Sequence, residues 1–302
     1  MQIEYYTLKE LEDKVKSGGH FKLLKPFRIG TQVLINTQKI LTEKDIYKMD
    51  GKFHGKVEVI PSVVVTVNNQ LIDLLISNCL KIFQKNKIFY KVSAVKRKVI
   101  EKNIRGIFSG HPYLCSKTKE ILAYSQKLFI HSVNVMLISL LIDDSLQNKN
   151  THHDGIRVEE IFMGSLLHDV GFIFLPKELM EKKLYEFDPE LELQYRLHPE
   201  TGADHIANEP GHTEIRPNSL TIIKQHHERA TGTGFPKKLK GNNIHLYAKI
   251  VGLADEFDMI INKQLAEHNK PIAEIMSRIS RSGGLFSKDI VNALYDEFRS
   301  LR

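Results

Sequence analysis

Beyond about residue 105, the apolar residues of this 302-residue chain fall at helical spacing in one segment after another, and that pattern makes its larger part a helical bundle. Ile121, Leu122, Leu128, Phe129 and Val133 through Leu141 predict one long helix, and Val158, Ile161, Phe162, Leu166 and Leu167 another, with Gly171 placed to end it. Pro217 suits the first turn of a helix running to His227, Ile244 to Ile261 is a further periodic stretch, and Ser287 is placed to cap a last helix. The first 65 or so residues read differently. Phe21 to Leu24, Thr31 to Ile35, Lys56 to Ile60 and Val63 to Val67 are short β-branched or apolar runs bounded by Gly and Pro, which predicts strands. Thr42-Glu43-Lys44-Asp45 is a capping signature for a short helix ending before Gly51, and Leu71, Leu74, Leu75, Ile82 and Phe83 return to helical spacing. The expected architecture is a small α+β domain over residues 1–92, a basic connector over 93–115 and an all-α bundle over 116–302.

Charge and histidine divide along the same line. Residues 1–100 hold 18 Lys and Arg against 9 Asp and Glu, whereas 12 of the 14 histidines follow residue 100. The basic excess peaks from Lys81 to Arg105, where a solvated connecting segment is the simpler reading and specific nucleic-acid binding is not expected. Cys79 and Cys115 are too few for a disulfide scaffold and read as reduced thiols of an intracellular chain. Met1-Gln2-Ile3-Glu4 lacks the basic and apolar regions of a secretory signal, and Val133 to Ile142 is about half the length of a membrane span. A cytoplasmic chain without a membrane span is expected.

The chemistry lies in the histidine-rich part. His131, the pair His168-Asp169, His198, the pair His226-His227 and Asp255 are five imidazoles and two carboxylates on predicted helix faces and ends. Such a donor set suits iron, manganese or zinc. Seven donors are too many for one tetrahedral ion and match two ions about 3.5–4 Å apart, with one carboxylate able to bridge them. Taken singly, His131 reads as a core histidine and His168-Asp169 as a helix cap. His226 and His227 point about 100° apart on an ideal helix and meet at one site only across a helix end.

Order and spacing give these residues their meaning. His168-Asp169-Val170-Gly171-Phe172 matches H-D-x-G-K in all but its last residue, and His198-Pro199-Glu200-Thr201-Gly202 matches H-P-x-x-G. His226-His227-Glu228-Arg229-Ala230-Thr231-Gly232-Thr233-Gly234-Phe235-Pro236 follows H-H-E-x-x-D-G-x-G-Y-P, and Leu253-Ala254-Asp255 with Asp258 follows the A-D-x-x-D that comes after it. Over roughly residues 105–302 the chain resembles the HD-GYP family of the HD phosphohydrolase superfamily. The resemblance implies a dimetal phosphodiesterase for the bacterial second messenger cyclic di-GMP, in which a metal-bridging hydroxide attacks phosphorus. It implies His131, His168, Asp169, His198, His226, His227 and Asp255 as ligands of two divalent ions, with iron or manganese favoured over zinc. Asp169 would be the bridging catalytic carboxylate, and Asp258 and Glu228 would support the ligands from behind. Lys127 stands where some members place a Glu for a third metal, which favours two.

The departures are chemically pointed. Phe172 replaces the Lys of H-D-x-G-K, Phe235 the Tyr of G-Y-P and Thr231 the usual Asp, and Gln264-Leu265-Ala266-Glu267 stands in place of R-P-Y-[K/R]. The phosphate clamp is depleted while the metal donors are intact, leaving Phe235, Lys263 and Thr231 as candidate substrate contacts. Two rivals to a cyclic di-GMP phosphodiesterase follow: a catalytically weak, metal-containing nucleotide receptor that signals to a protein partner through the N-terminal domain, and a hydrolase of another phosphoester.

Overall fold

The computed structural model describes residues 3–17, 21–29, 32–35, 41–53, 55–61, 69–147, 155–180, 182, 186–267, 272–281 and 284–298. By compactness the chain forms two units, one of residues 1–66 with 209–213, the other of residues 67–208 with 214–302.

In the smaller unit, β1 (Glu4–Tyr6), α1 (Leu8–Lys16), β2 (Phe21–Leu23), β3 (Phe27–Ile29), β4 (Gln32–Ile35), α2 (Glu43–Met49) and β5 (Val57–Pro61) follow in order. The last strand lies at the centre of an antiparallel sheet ordered β1-β5-β2, with Tyr6 opposite Val57 and Leu23 opposite Val59, while β3 and β4 form a separate ribbon. Thr42 and Asp45 make a reciprocal capping box at the start of α2. Leu11, Phe21, Leu23, Phe27, Ile35, Ile46, Met49, Val57 and Val59 close the core. Sequence patterning finds β2, β4, β5 and α2 but passes over β1, α1 and β3, and its expected strand Val63 to Val67 lies outside the described residues.

The larger unit is helical: α3 (Asn69–Lys85), α4 (Ala94–Gly110), α5 (Pro112–Tyr124), α6 (Gln126–Gln147), α7 (Gly155–Leu166), α8 (Pro189–Asn208), α9 (Pro217–Gln225), α10 (Leu246–Glu267), α11 (Ile272–Ser280) and α12 (Lys288–Phe298). Helix α6 packs against α3, α5, α7, α10 and α12. It is apolar all round, as a central helix must be. Its length and composition would allow a membrane crossing, but 83% of its most apolar window is buried inside the bundle.

Several expectations change. The single long helix from Ile121 is two helices, because Ser125 is extended at φ −156° and ψ 121° and its hydroxyl accepts from Leu128 N at 3.2 Å. The division falls after residue 66, not at 92, because α3 buries Leu75, Ile76, Cys79 and Phe83 against α4, α5 and α6. The stretch 93–115 is likewise helix α4 and the start of α5, with Ile100, Ile104, Ile107 and Phe108 buried, and two of its cations have structural partners. Lys96 pairs with Asp144 at 3.0 Å and with Glu297, while Arg97 Nη2 donates to Phe89 O at 2.7 Å.

Gly171 does not end a helix. Helix α7 stops at Leu166, and Gly171 lies in a 3-10 turn over Val170–Phe174. A Cβ on Gly171 would come within 2.0 Å of His198 O, and one on Gly202 within 2.7 Å of Gly171 N. The glycines of H-D-x-G and H-P-x-x-G are thus the contact at which this turn lies against α8, bringing Asp169 to His198. Gly171→Ala should push the two apart, lowering stability by about 1–3 kcal/mol in urea unfolding and weakening metal retention with it.

Candidate metal centre

Each candidate ligand comes from an element end or an inward face. His131 lies on α6, His168 and Asp169 directly after α7, His198 within α8, His226 and His227 at the end of α9, and Asp255 with Asp258 on α10. Helix α9 ends at Gln225, and this end lets the two adjacent histidines serve one site.

Three of the imidazoles are held alike. Nδ1–H of His168 donates to Ser165 O at 2.7 Å, that of His198 to Tyr195 O at 2.5 Å and that of His226 to Ile223 O at 2.8 Å. A backbone carbonyl only accepts, so Nδ1 carries the hydrogen and Nε2 presents a lone pair. These carbonyls are ones that a helix leaves over. Ser165 and Ile223 lie in the last turns of α7 and α9, where carbonyls lack an amide four residues on. Tyr195 lies mid-helix, but the residue four positions later is Pro199, which has no N–H to give. The proline of H-P-x-x-G therefore frees the carbonyl that orients His198.

The lone pairs converge on Asp169. Its Oδ1 is 3.1 Å from His198 Nε2 and 3.5 Å from His226 Nε2, while its Oδ2 is 3.3 Å from His168 Nε2 and 3.6 Å from His131 Nε2. Asp255 also reaches both sides, with Oδ1 3.2 Å from His131 Nε2 and Oδ2 3.8 Å from His227 Nδ1. Two donor groups result, Asp169-His198-His226-His227 and His131-His168-Asp169, sharing one carboxylate. His198 Nε2 and His226 Nε2 face each other at 3.4 Å with no hydrogen between them, and His168 Nε2 is fully buried without a hydrogen bond. Lone pairs gathered this closely repel one another unless a cation lies among them, so the donor set fits a metal.

Protonation agrees. Burial brings the His226 pKa down to about 4 and holds His227 well below the usual histidine range, with His226 and His198 adding to the effect. Burial works to raise Asp169, but His168, His198 and His226 outweigh it and keep the carboxyl well below its usual range. Neutral imidazoles beside ionised carboxylates are the state in which metals bind. His131 and His168 are the exceptions, since at His168 too burial works to lower the pKa but the Asp169 carboxylate beside it raises it. The effect is larger at His131. Burial works to lower its pKa, but Asp255 and Asp258 raise it well above the usual value, and Nδ1 lies 2.7 Å from Asp258 Oδ2. Its Nε2 must lose a proton to coordinate, so metal affinity should rise with pH through the neutral range. Calorimetric metal titrations between about pH 6 and 8 should show tighter binding at the higher pH and proton release in weakly buffered solution.

Glu228 does not reach the ligands through its carboxylate. It accepts from Lys237 N at 2.7 Å and Leu239 N at 2.8 Å, clamping the loop that carries Phe235. Of the expected substrate contacts, Phe235 lies over His227, with ring centroids 4.4 Å apart at 31°. Thr231 is exposed and shares its hydroxyl with Thr233 at 2.8 Å, while the side chain of Lys263 lies outside the described residues. Phe172 is buried and stacks on His198, with centroids 4.3 Å apart at 25°. Tyr195 was not foreseen. Its ring lies among those of Phe172, Phe187, Phe235, His198 and His227, and burial, then the charges of Asp255 and Asp169, push its hydroxyl pKa up. The signal was present in sequence as an aromatic residue one helical turn before His198.

Curated relatives match parts of this chain. A cyclic di-GMP phosphodiesterase of Thermotoga maritima is 26% identical over 240 residues, covering 75% of this chain and 62% of its own length. One from Pseudomonas aeruginosa is 25% identical over 183 residues, covering 61% and 42%. One from Vibrio cholerae is 31% identical over 144 residues, covering 45% and 28%. The chain thus spans less than two thirds of the length of each of them. Among solved structures, an HDG"Y"P protein from Bdellovibrio bacteriovorus superposes with a TM-score of 0.48 at 17% identity, over 93% of this chain and 94% of that one. The HD domain family model matches residues 118–285, which is more than half of the chain and contains every proposed ligand from His131 to Asp255, and on that match the chain belongs to the HD domain family.

Proposed function

We propose that this chain is a metal-dependent phosphodiesterase that hydrolyses a cyclic dinucleotide, cyclic di-GMP before others, and that it holds two divalent ions. The observation that carries this reading is Asp169, whose two oxygens each face a different pair of imidazoles. His131 and His168 would hold one ion, His198, His226 and His227 the other, with Asp169 shared and Asp255 reaching both sides. When bound, two such ions supply an activated water and neutralise charge on a phosphoryl group. The protein's part is to hold the imidazoles in one tautomer through Ser165, Tyr195 and Ile223, to support His131 through Asp258, and to cover His227 and His198 with the rings of Phe235 and Phe172. Relatives named as cyclic di-GMP phosphodiesterases support the substrate class. Iron or manganese suits this nitrogen- and oxygen-rich donor set. The smaller unit, with no cluster of metal donors among its described residues, is proposed to regulate the helical unit or to meet a protein partner.

The receptor reading draws on Phe172, a ring where the family's lysine cation would meet phosphate. The experiment that separates the two is incubation of anaerobically purified, metal-quantified protein with cyclic di-GMP, with chromatographic separation of products. Hydrolysis that vanishes in His168→Ala/Asp169→Ala, with about two metals per wild-type chain, supports the enzyme. Two metals with tight dinucleotide binding and no product would replace it with the receptor.

A further inference from the structure

Phe172 leaves the metal centre without the lysine cation that the H-D-x-G-K motif would supply, and the ring that fills its place is packed between His198 at 4.3 Å and Tyr195 at 5.9 Å. Tyr195 precedes His198 by three residues on α8, so both side chains leave the same face of the helix. Its ring centroid is 5.5 Å from that of His198 and 6.1 Å from that of His227, one imidazole from each side of the α8–α9 pair. The charges of both central carboxylates, Asp255 and Asp169, reach its hydroxyl. Among the described residues that hydroxyl makes no hydrogen bond, and it is not sealed from solvent. A phenol at a polar centre with its ring fixed on several sides and its O–H turned to no protein acceptor can donate to a group that enters from solvent.

We infer that the Tyr195 hydroxyl donates a hydrogen bond to a phosphoryl oxygen of the bound phosphodiester, taking over with a neutral donor part of what a lysine does elsewhere. This inference rests on the phosphodiesterase reading for its substrate, but its contact is with the phosphoryl group and can be read with phosphate alone. It also makes phosphate binding here less sensitive to salt than a cationic clamp would be, because no protein cation is neutralised.

Tyr195→Phe keeps the ring among its neighbours and removes only the oxygen. Inorganic phosphate is titrated calorimetrically into manganese-loaded wild type and variant, with metal content and thermal midpoint measured on the same samples. The expected result is phosphate binding about 3- to 10-fold weaker in the variant, the worth of one neutral hydrogen bond, with metal content and midpoint unchanged. A loss of kcat/KM on cyclic di-GMP by at least that factor should accompany it. Equal phosphate affinities within about twofold would overturn the inference, since the missing hydrogen bond is worth more than that. So would loss of metal in the variant, which would make Tyr195 a support of the ligands, or failure of the loaded wild type to bind phosphate. Tyrosine-dependent phosphate binding without any hydrolysis of cyclic di-GMP would uphold the inference and overturn the enzymatic reading instead.

Discussion

On the proposed two-ion reading, Asp169→Asn should leave the protein without bound ions, whereas His131→Ala should leave about one. The carboxylate belongs to both donor groups, with Oδ1 toward His198 and His226 and Oδ2 toward His168 and His131. An amide keeps one weakly coordinating oxygen, loses the charge and turns an NH2 toward imidazole nitrogens that already expose lone pairs. His131 belongs to one group only. Measured by inductively coupled plasma mass spectrometry after extensive dialysis, the expected content is about two ions per wild-type chain, about one in His131→Ala and well below one in Asp169→Asn. Hydrolysis should fall by at least about 1,000-fold in Asp169→Asn, because a two-ion centre acts as a unit. Retention of one ion by Asp169→Asn would show that the carboxylate serves a single site and would remove the ground for a bridge.

The residues that gather around Asp169 were legible in sequence because their constraints are local. A histidine next to an aspartate after a helix, a histidine next to a proline within one, and two adjacent histidines at a helix end each carry their own geometric reason. Pro199 shows this well: the missing N–H that makes proline costly inside a helix is what gives His198 its carbonyl. The break at Ser125 was passed over, because apolar periodicity runs through it on both sides and masks the capping signal that its serine carries. The placement of α3 and α4 with the bundle was hidden by their charge. Lysines on the outer faces made the stretch look solvated, while the residues that dock it, from Leu75 to Phe108, are spread thinly among them. The role of Tyr195 needed three dimensions, since Phe172, Phe187 and Phe235 approach it from outside its own helix. The substitution at residue 172 reads in sequence as a loss and in structure as a repacking.

Glu228→Ala should separate turnover from metal binding, two properties that Asp169→Asn should abolish together. The carboxylate is buried and takes one backbone N–H on each oxygen, from Lys237 and Leu239, and so fixes the loop between Arg229 and Lys240. Two hydrogen bonds to a charged acceptor are together worth about 3–6 kcal/mol, and the lower end is expected because the exposed backbone near Lys237 lets water replace part of the loss. His226 is held from the end of helix α9 and not by the loop, with its Nδ1–H donating to Ile223 O at 2.8 Å, so the variant should keep its ions. What it should lose is the position of Phe235, tied to the clamp through its own N–H on His227 O at 3.2 Å and through the ring it lays over His227. Urea unfolding, metal analysis and hydrolysis on one preparation test all three parts: a drop in stability, unchanged metal content and at least about 10-fold lower kcat/KM. Glu228→Gln should fall between, because its amide offers one acceptor and presents N–H to N–H at the other position. A variant that lost its ions along with activity would instead make the loop part of the metal cage and Glu228 a support of the ligands.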